Sequence, residues 1–134
     1  MKKKFSRHWK NSKQPRKQRK YLYNLPLHLR HKLLSCNLSK ELRKKYRTRN
    51  IPLRNGDIVK VMKGEFKGKK AKVIEVNISR STVFLEGIQR MKKDGTKLNV
   101  PFRPSNLQII ELNLDDKKRI ESLERKSKKK EEKE

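Results

Sequence analysis

The spacing of hydrophobic and polar positions divides the chain into four parts. Residues 1–24 show no regular hydrophobic spacing, residues 25–50 carry leucines at helical spacing, residues 51–112 alternate apolar with polar positions, and residues 113–134 are dominated by charge. Helices repeat every 3.6 residues and strands every two, so these patterns indicate different structures. We predict a basic extended N-terminal tail, then short helices, then a folded β domain, and finally a C-terminal helix with a charged tail.

Two short helices are predicted between the tail and the β domain. Pro26 suits the first turn of a helix, and the leucines of residues 27–34 follow it at helical spacing. Ser39 is a good N-cap for the second helix, because Glu41 falls in its first turn and apolar residues recur every four positions up to Tyr46. Both helices are short and basic.

The segment 51–112 is rich in β-branched residues and turn signals, which predicts a mainly β domain. Val59 and Val61 alternate with polar residues and should point inward, and Asn55-Gly56 and Asp94-Gly95-Thr96 are turn signals. Five short strands are predicted, at residues 57–63, 72–78, 82–86, 98–102 and 107–110.

Such short, closely spaced strands favour a small closed barrel over an open sheet, because closure removes the unpaired edges. A core of about 60 residues buries only about 60% of the surface that its unfolded chain exposes. We therefore expect the β domain to gain stability from a partner.

The net charge indicates what kind of partner that is. The chain has 40 Lys and Arg against 14 Asp and Glu, a formal charge of +26. Residues 1–50 hold 18 basic and 1 acidic residues, residues 51–110 hold 13 and 5, and residues 111–134 hold 9 and 8. Because self-repulsion disfavours a compact state, this excess predicts a polyanionic partner, with nucleic acid as the first candidate.

The candidates for catalysis and metal binding are few. The single cysteine, Cys36, excludes an internal disulfide and is typical of a reducing intracellular compartment. His28 and His31 stand near it, but a zinc site needs about four ligands. We predict no enzyme activity, no cofactor and no metal. No stretch of about 18 apolar residues is present, so no membrane span is predicted.

The tail combines cations with aromatic residues, as RNA-binding segments do. Cations contact phosphates, and aromatic rings stack on unpaired bases. The alternative is a solvated tail whose aromatic residues pack onto the folded domain. The tail residues predicted to contact RNA are Arg7, Trp9, Lys10, Lys13, Arg16, Lys17, Arg19 and Lys20.

Further RNA contacts are predicted in the helices and in a loop rich in glycine and lysine. Arg30, Arg43, Lys44 and Arg54 could be solvated cations or phosphate contacts. In the loop, Gly64 and Gly68 permit positive φ and close approach to a ligand. The loop residues predicted to contact RNA are Lys63, Phe66, Lys67, Lys69 and Lys70.

Phe66 at the tip of this loop has two interpretations, stacking on a base or folding back over the mouth of the barrel. The loop is not a phosphate-binding loop of the Walker type, because the glycine spacing and the following helix are both lacking. Nucleotide hydrolysis is therefore not predicted.

Residues 56–76 resemble a KOW motif, the strand-loop-strand unit of several ribosomal proteins and transcription elongation factors. Over residues 10–126 the chain resembles the universal large-subunit ribosomal protein family numbered twenty-four in bacteria and twenty-six in eukaryotes, in its archaeal and eukaryotic form. The neighbouring segments that carry this resemblance are residues 13–18, 38–46, 52–57, 94–96 and 104–106.

The resemblance implies an SH3-like barrel bound to the 5′ region of large-subunit ribosomal RNA, near the nascent-chain tunnel, with a role in early subunit assembly. It also implies a cytoplasmic location. The partners it implies are neighbouring ribosomal proteins and factors that act at the tunnel exit. Ala71 replaces the usual glycine and should stiffen the loop. Arg103 stands where the family often has histidine before Pro104, and we predict that it adds an RNA contact.

Two other functions are weighed against a structural RNA binder. A transcription elongation or nucleoid factor would also use a KOW barrel, but it should carry a further α/β domain, and residues 1–50 are too short and basic to supply one. An enzyme is motivated only by the glycine-lysine loop and by the group of His28, His31 and Cys36. Charge alone does not distinguish RNA from DNA, so the missing α/β domain is the argument against the first of these functions.

Overall fold

A computed structural model describes residues 5–131, with side chains through residue 125. The helices are α1 Pro15–Asn24, α2 Leu27–Arg30, α3 Lys40–Tyr46 and α4 Lys117–Glu131, with 3-10 turns at His31–Leu34 and Pro104–Asn106. The strands are β1 Ser35–Leu38, β2 Asn50–Pro52, β3 Ile58–Val61, β4 Lys70–Asn77, β5 Thr82–Met91, β6 Lys97–Phe102 and β7 Leu107–Glu111. The far end of the charged tail predicted after α4 lies outside the described residues.

The strands form one seven-stranded sheet in the order β2-β1-β7-β3-β4-β5-β6. All neighbours are antiparallel except β1 and β7, which are parallel. The register shifts within the β3–β7, β4–β5 and β5–β6 pairs, as it does at bulges that bend a sheet. The mainly β architecture is confirmed. Closure into a barrel stays a prediction, since the described pairing runs from β2 at one edge to β6 at the other.

The five strands predicted from alternation are all present, and two more were missed. Val59 and Val61 are fully buried in β3, as their spacing predicted. The missed strands are β1 and β2, which lie largely in the segment assigned to short helices. They have only four and three residues, too few to show a period, and they pair with each other. Their stability comes from pairing with chain that is distant in sequence.

Both helices predicted for residues 25–50 are present. The first is α2, which continues into a 3-10 turn from His31 to Leu34, and Leu34 is fully buried. The second is α3, and its N-cap is Ser39, whose hydroxyl accepts a hydrogen bond from the Leu42 amide at 3.4 Å. Arg47 then adopts the left-handed conformation that commonly ends a helix. The capping signal was therefore sufficient to place this helix.

The prediction of an extended N-terminal tail is wrong for its second half, where α1 spans Pro15–Asn24. Pro15 occupies the first turn, and the Lys, Arg and Gln residues after it are good helix formers. The helix was missed because it has no apolar stripe, and none of its residues is buried. Intrinsic propensity, not burial, is the local reason for this helix.

A buried ion pair joins α4 to the sheet. Asp57 is fully buried and Arg119 is 4% exposed. The two terminal guanidinium nitrogens of Arg119, Nη1 and Nη2, donate to the two carboxylate oxygens of Asp57 at 2.7 and 2.8 Å. The amides of Arg54 and Asn113 also donate to this carboxylate, both at 2.9 Å. The predicted C-terminal helix is confirmed, and this pair explains why it packs on the sheet.

Candidate nucleic-acid interface

The loop between β3 and β4 is held in one shape by its own backbone. Gly64 and Gly68 have φ of 93° and 90°, a region that only glycine adopts readily. The Gly68 amide donates to the Val61 carbonyl at 2.8 Å, and the Lys67 amide donates to the Gly64 carbonyl at 3.1 Å. The lysines of this loop are exposed, so a rigid backbone presents several cations to solvent. They are Lys63, Lys67, Lys69 and Lys70.

Phe66 at the tip of the loop is folded toward the sheet. Its ring meets that of Phe102 edge-on, with the centroids 6.1 Å apart, and it is only partly buried. The Lys69 ammonium lies 5.1 Å from the centroid of the Phe66 ring. One edge of the ring is therefore engaged by the protein, and its stacking on a base stays a prediction. Ala71, expected to stiffen this loop, instead pairs with Val59 inside β4.

From residue 7 to residue 20, the cations of the tail and of α1 are exposed. The exposed residues among those predicted to bind RNA are Arg7, Lys10, Lys13, Arg16, Lys17, Arg19 and Lys20. Trp9 stacks on Tyr21 with the centroids 4.0 Å apart, and Phe5 lies 5.5 Å from the same ring. The aromatic residues of the tail thus pack on α1, so one face of the Trp9 ring is already covered.

Three of the arginines predicted to contact RNA have polar partners within the protein. The Arg30 guanidinium donates to the Ser79 carbonyl at 2.6 Å and also to the carbonyls of Leu22 and Tyr23. Arg43 donates from Nε to the Leu38 carbonyl at 2.8 Å, and Arg54 forms an ion pair with Asp116. These arginines hold chain segments together, whereas Lys44 is exposed on α3.

Arg103 is exposed and lines a groove that also contains Tyr23 and Arg80. Arg80 was not among the residues predicted to contact RNA, whereas Tyr23 is one of the tail aromatic residues predicted either to stack on unpaired bases or to pack onto the folded domain. Arg80 lies in the turn between β4 and β5, and its charge there was a signal that could have been used. Nothing in the sequence indicated that residues so far apart would share one groove.

The remaining chemical candidates have structural explanations. Cys36 is buried, its thiol donates to the Leu107 carbonyl at 2.8 Å, and burial raises its pKa to about 12. A thiol with such a pKa is a poor nucleophile at neutral pH. In the part of the chain that the structure describes, no three metal-binding side chains come together. Within the same part, no helix is both long and apolar enough to cross a bilayer.

A bent β-sheet with a lysine-rich loop and a basic helical extension defines a small, basic, β-rich protein. One family matches residues 12–126, and it comprises the ribosomal proteins numbered L26 in eukaryotes and their archaeal counterparts numbered L24. Because the match covers most of the chain, the chain belongs to this family, as its sequence motifs predicted. It is therefore a ribosomal protein with a structural role in the large subunit, part of the ribonucleoprotein that carries out translation.

Proposed function

We propose that this protein binds large-subunit ribosomal RNA at two basic surfaces and holds separate RNA segments in a fixed relation. The first surface, the tail surface, is formed by the cations of residues 7–20. The second, the loop surface, is formed by the four lysines between β3 and the start of β4. One observation carries the proposal: these surfaces are attached to opposite ends of β4.

The attachment of each surface to β4 follows from named contacts. The loop surface directly precedes β4, at Lys70. At the other end, Ser79 follows β4, and the Arg30 guanidinium joins its carbonyl to those of Leu22 and Tyr23 at the end of α1. A strand of eight residues, at about 3.3 Å per residue, separates the two attachments by roughly 25 Å. One rigid sheet can therefore contact two RNA segments at once.

Phosphate contacts explain the charge of both surfaces. Lysine and arginine side chains bind phosphates without reading base sequence, and such contacts fix the position and orientation of the protein on RNA. An RNA that occupies both surfaces also screens the self-repulsion of the +26 charge. The β domain, which is small, then gains stability from its complex with RNA.

The finer features of the proposal follow the family resemblance. We propose that the sheet closes as an SH3-like barrel with a KOW motif and that the RNA is the 5′ region of the large-subunit molecule. We further propose a position near the tunnel exit and assistance in subunit assembly. The partners would be neighbouring large-subunit proteins and factors acting at the tunnel exit, in the cytoplasm. No catalytic step is part of this function.

Sedimentation and a salt titration test the proposal. The protein should migrate with large subunits on sucrose gradients at low and high salt. Its affinity for a 5′ fragment of large-subunit RNA should fall with salt, with a log-log slope of about −0.7 to −0.9 for each phosphate neutralised. An affinity independent of salt, or migration with RNA polymerase instead of large subunits, would contradict the proposal.

A loop variant tests whether both surfaces take part. Glutamine at all four loop lysines should make the log-log dependence of RNA affinity on salt shallower by up to about 3. The unfolding midpoint of this variant should stay constant, because these side chains are exposed. Glutamine at two exposed cations of α4, Lys117 and Lys118, serves as the control and should change the slope less. Equal slopes for the loop variant and the unmodified protein would remove the loop from the interface.

A further inference from the structure

A groove of about 490 Å³ lies where four segments of the chain meet. Its walls come from the end of α1, from the region of α2 and β1, from the turn after β4 and from the turn after β6. We call it the Tyr23 groove. The lining side chains that matter for its chemistry are Leu22, Tyr23, Leu33, Arg80 and Arg103.

The walls of the Tyr23 groove are held together by Arg30. Its guanidinium donates to the Ser79 carbonyl on one wall at 2.6 Å and to the Leu22 and Tyr23 carbonyls on another. Hydrogen bonds from a charged donor are stronger than those between neutral groups. The groove is therefore formed before any ligand arrives, which lowers the entropic cost of binding.

The side chains in the groove leave apolar surface in contact with water. Tyr23 is 85% exposed, and Leu22 and Leu33 are 43% and 47% exposed. An aromatic ring flanked by two leucines is a surface suited to a flat, apolar ligand face. By contrast, the neighbouring Tyr21 is covered by Trp9. Of the two tyrosines near the end of α1, Tyr23 is the one with its ring open.

The charges in the groove select an anion. The guanidinium groups of Arg80 and Arg103 form no hydrogen bond or ion pair with the described residues. None of the described residues that line the groove carries a carboxylate. A ligand that is flat on one side and negatively charged on the other complements both properties, and a nucleotide has this combination. The volume also falls within the range of about 300 to 1,000 Å³ found for pockets that hold small molecules.

We propose that the Tyr23 groove binds one unpaired nucleotide of RNA, with its base stacked on the Tyr23 ring and its phosphates contacted by Arg80 and Arg103. The site rests on the proposed RNA-binding function and adds to it a place for a single-stranded segment. Bases in a duplex are stacked on each other and cannot reach the ring, so an unpaired nucleotide is required. Arg30 acts as a positioning residue, because its donors already have partners.

Fluorescence of a labelled oligonucleotide tests this site in the full chain. The probe is a single-stranded RNA hexamer with one 2-aminopurine, whose fluorescence is quenched on stacking. Quenching should be lost with Tyr23→Ala and retained with Tyr23→Phe, which keeps the ring. Affinity for the hexamer should fall roughly 5- to 150-fold with Tyr23→Ala, the effect of losing one stacked base. Because Tyr23 is exposed, the variant should fold normally.

The arginines and a duplex provide matched controls. Arg80→Gln and Arg103→Gln should each reduce the salt slope for the hexamer by about 0.7, the value for one phosphate contact on a single strand. Arg90→Gln, at an exposed arginine on β5 that pairs with Glu65, should leave the quenching unchanged. Binding of an RNA duplex should be the same for Tyr23→Ala and the unmodified protein, because no base is free to stack.

The outcomes separate this site from the proposed function as a whole. If the unmodified protein binds RNA with a steep salt dependence but Tyr23→Ala changes neither quenching nor affinity, the site is overturned and the function stands. If the unmodified protein binds no RNA, both fail. A photocrosslinker placed at position 23 should attach to RNA in intact large subunits. Attachment to a neighbouring protein instead would overturn the nucleotide as occupant.

Discussion

The two long helices, α1 and α4, are both rich in charge, yet they relate to the sheet in opposite ways. No residue of α1 is buried, and its lysines and arginines face solvent. In α4, Arg119 and Leu123 are buried, and Arg119 is paired with Asp57. One helix therefore leaves its charges exposed to solvent, while the other uses a charge to attach itself to the fold. Charge density alone does not distinguish these roles.

The largest difference between the two helices is expected when the buried cation of α4 is removed. Arg119→Ala leaves the Asp57 carboxylate buried without its main partner, which should lower the free energy of unfolding by about 3 to 5 kcal/mol. Arg125→Ala, at an exposed arginine of the same helix, should change it by less than about 0.5 kcal/mol. Chemical denaturation measures both. Equal effects would mean that the ion pair does not attach the helix.

A second test compares one leucine in each helix. Leu123 is 1% exposed in α4, so Leu123→Ala should cost about 2 to 5 kcal/mol of unfolding free energy through lost packing and a cavity. Leu22 in α1 is 43% exposed, and Leu22→Ala should cost well under half as much by the same denaturation assay. A large loss from Leu22→Ala would show that α1 contributes to the core after all.

A third test compares the two helices by RNA binding instead of by stability. Glutamine at four cations of α1 should leave the unfolding midpoint unchanged and reduce the salt slope of RNA binding by up to about 3. The substituted residues are Arg16, Lys17, Arg19 and Lys20. The matched variant carries glutamine at Lys117, Lys118 and Arg125 of α4 and should alter the slope less. If the α4 variant weakened binding as much, the division of roles between the two helices would be wrong.

The smallest expected effect concerns the contact between the tail and α1. Trp9 is the only tryptophan of the chain and stacks on Tyr21 at 4.0 Å. Tyr21→Ala should therefore change the Trp9 emission, while unfolding of the β domain shifts by no more than about 0.5 to 1.5 kcal/mol. Tyr23→Ala is the control, since its ring is 85% exposed. Emission unaffected by Tyr21→Ala would show that the tail does not rest on α1 in solution.

The elements that could be predicted have signals contained within a few neighbouring residues. Ser39 with its acidic first turn placed α3, the alternation around Val59 and Val61 placed β3, and Asp94-Gly95-Thr96 placed the hairpin between β5 and β6. The motifs near the loop were also local and distinctive enough to indicate the family. A capping hydroxyl or a two-residue period needs no knowledge of the rest of the chain.

The elements that could not be predicted depend on residues far apart in sequence. Strands β1 and β2 are too short to carry a period and exist through their pairing with each other and with β7. Arg119 lies 62 residues from Asp57, and nothing in its neighbourhood distinguishes it from the exposed lysines beside it. A buried charge is stable only where a partner of opposite charge meets it, so only the folded chain reveals the pair.

The class of fold, the family and the excess of positive charge were all predictable, since they follow from composition and local spacing. Which cations are free to bind a partner became clear from the folded chain alone. Arg30, Arg43 and Arg54 satisfy carbonyl or carboxylate groups of the protein, whereas Arg80 and Arg103 meet Tyr23 in one groove. A guanidinium in an unfolded chain donates its hydrogen bonds to water alone. Protein acceptors compete with that water only after folding has brought distant segments within about 3 Å of the guanidinium.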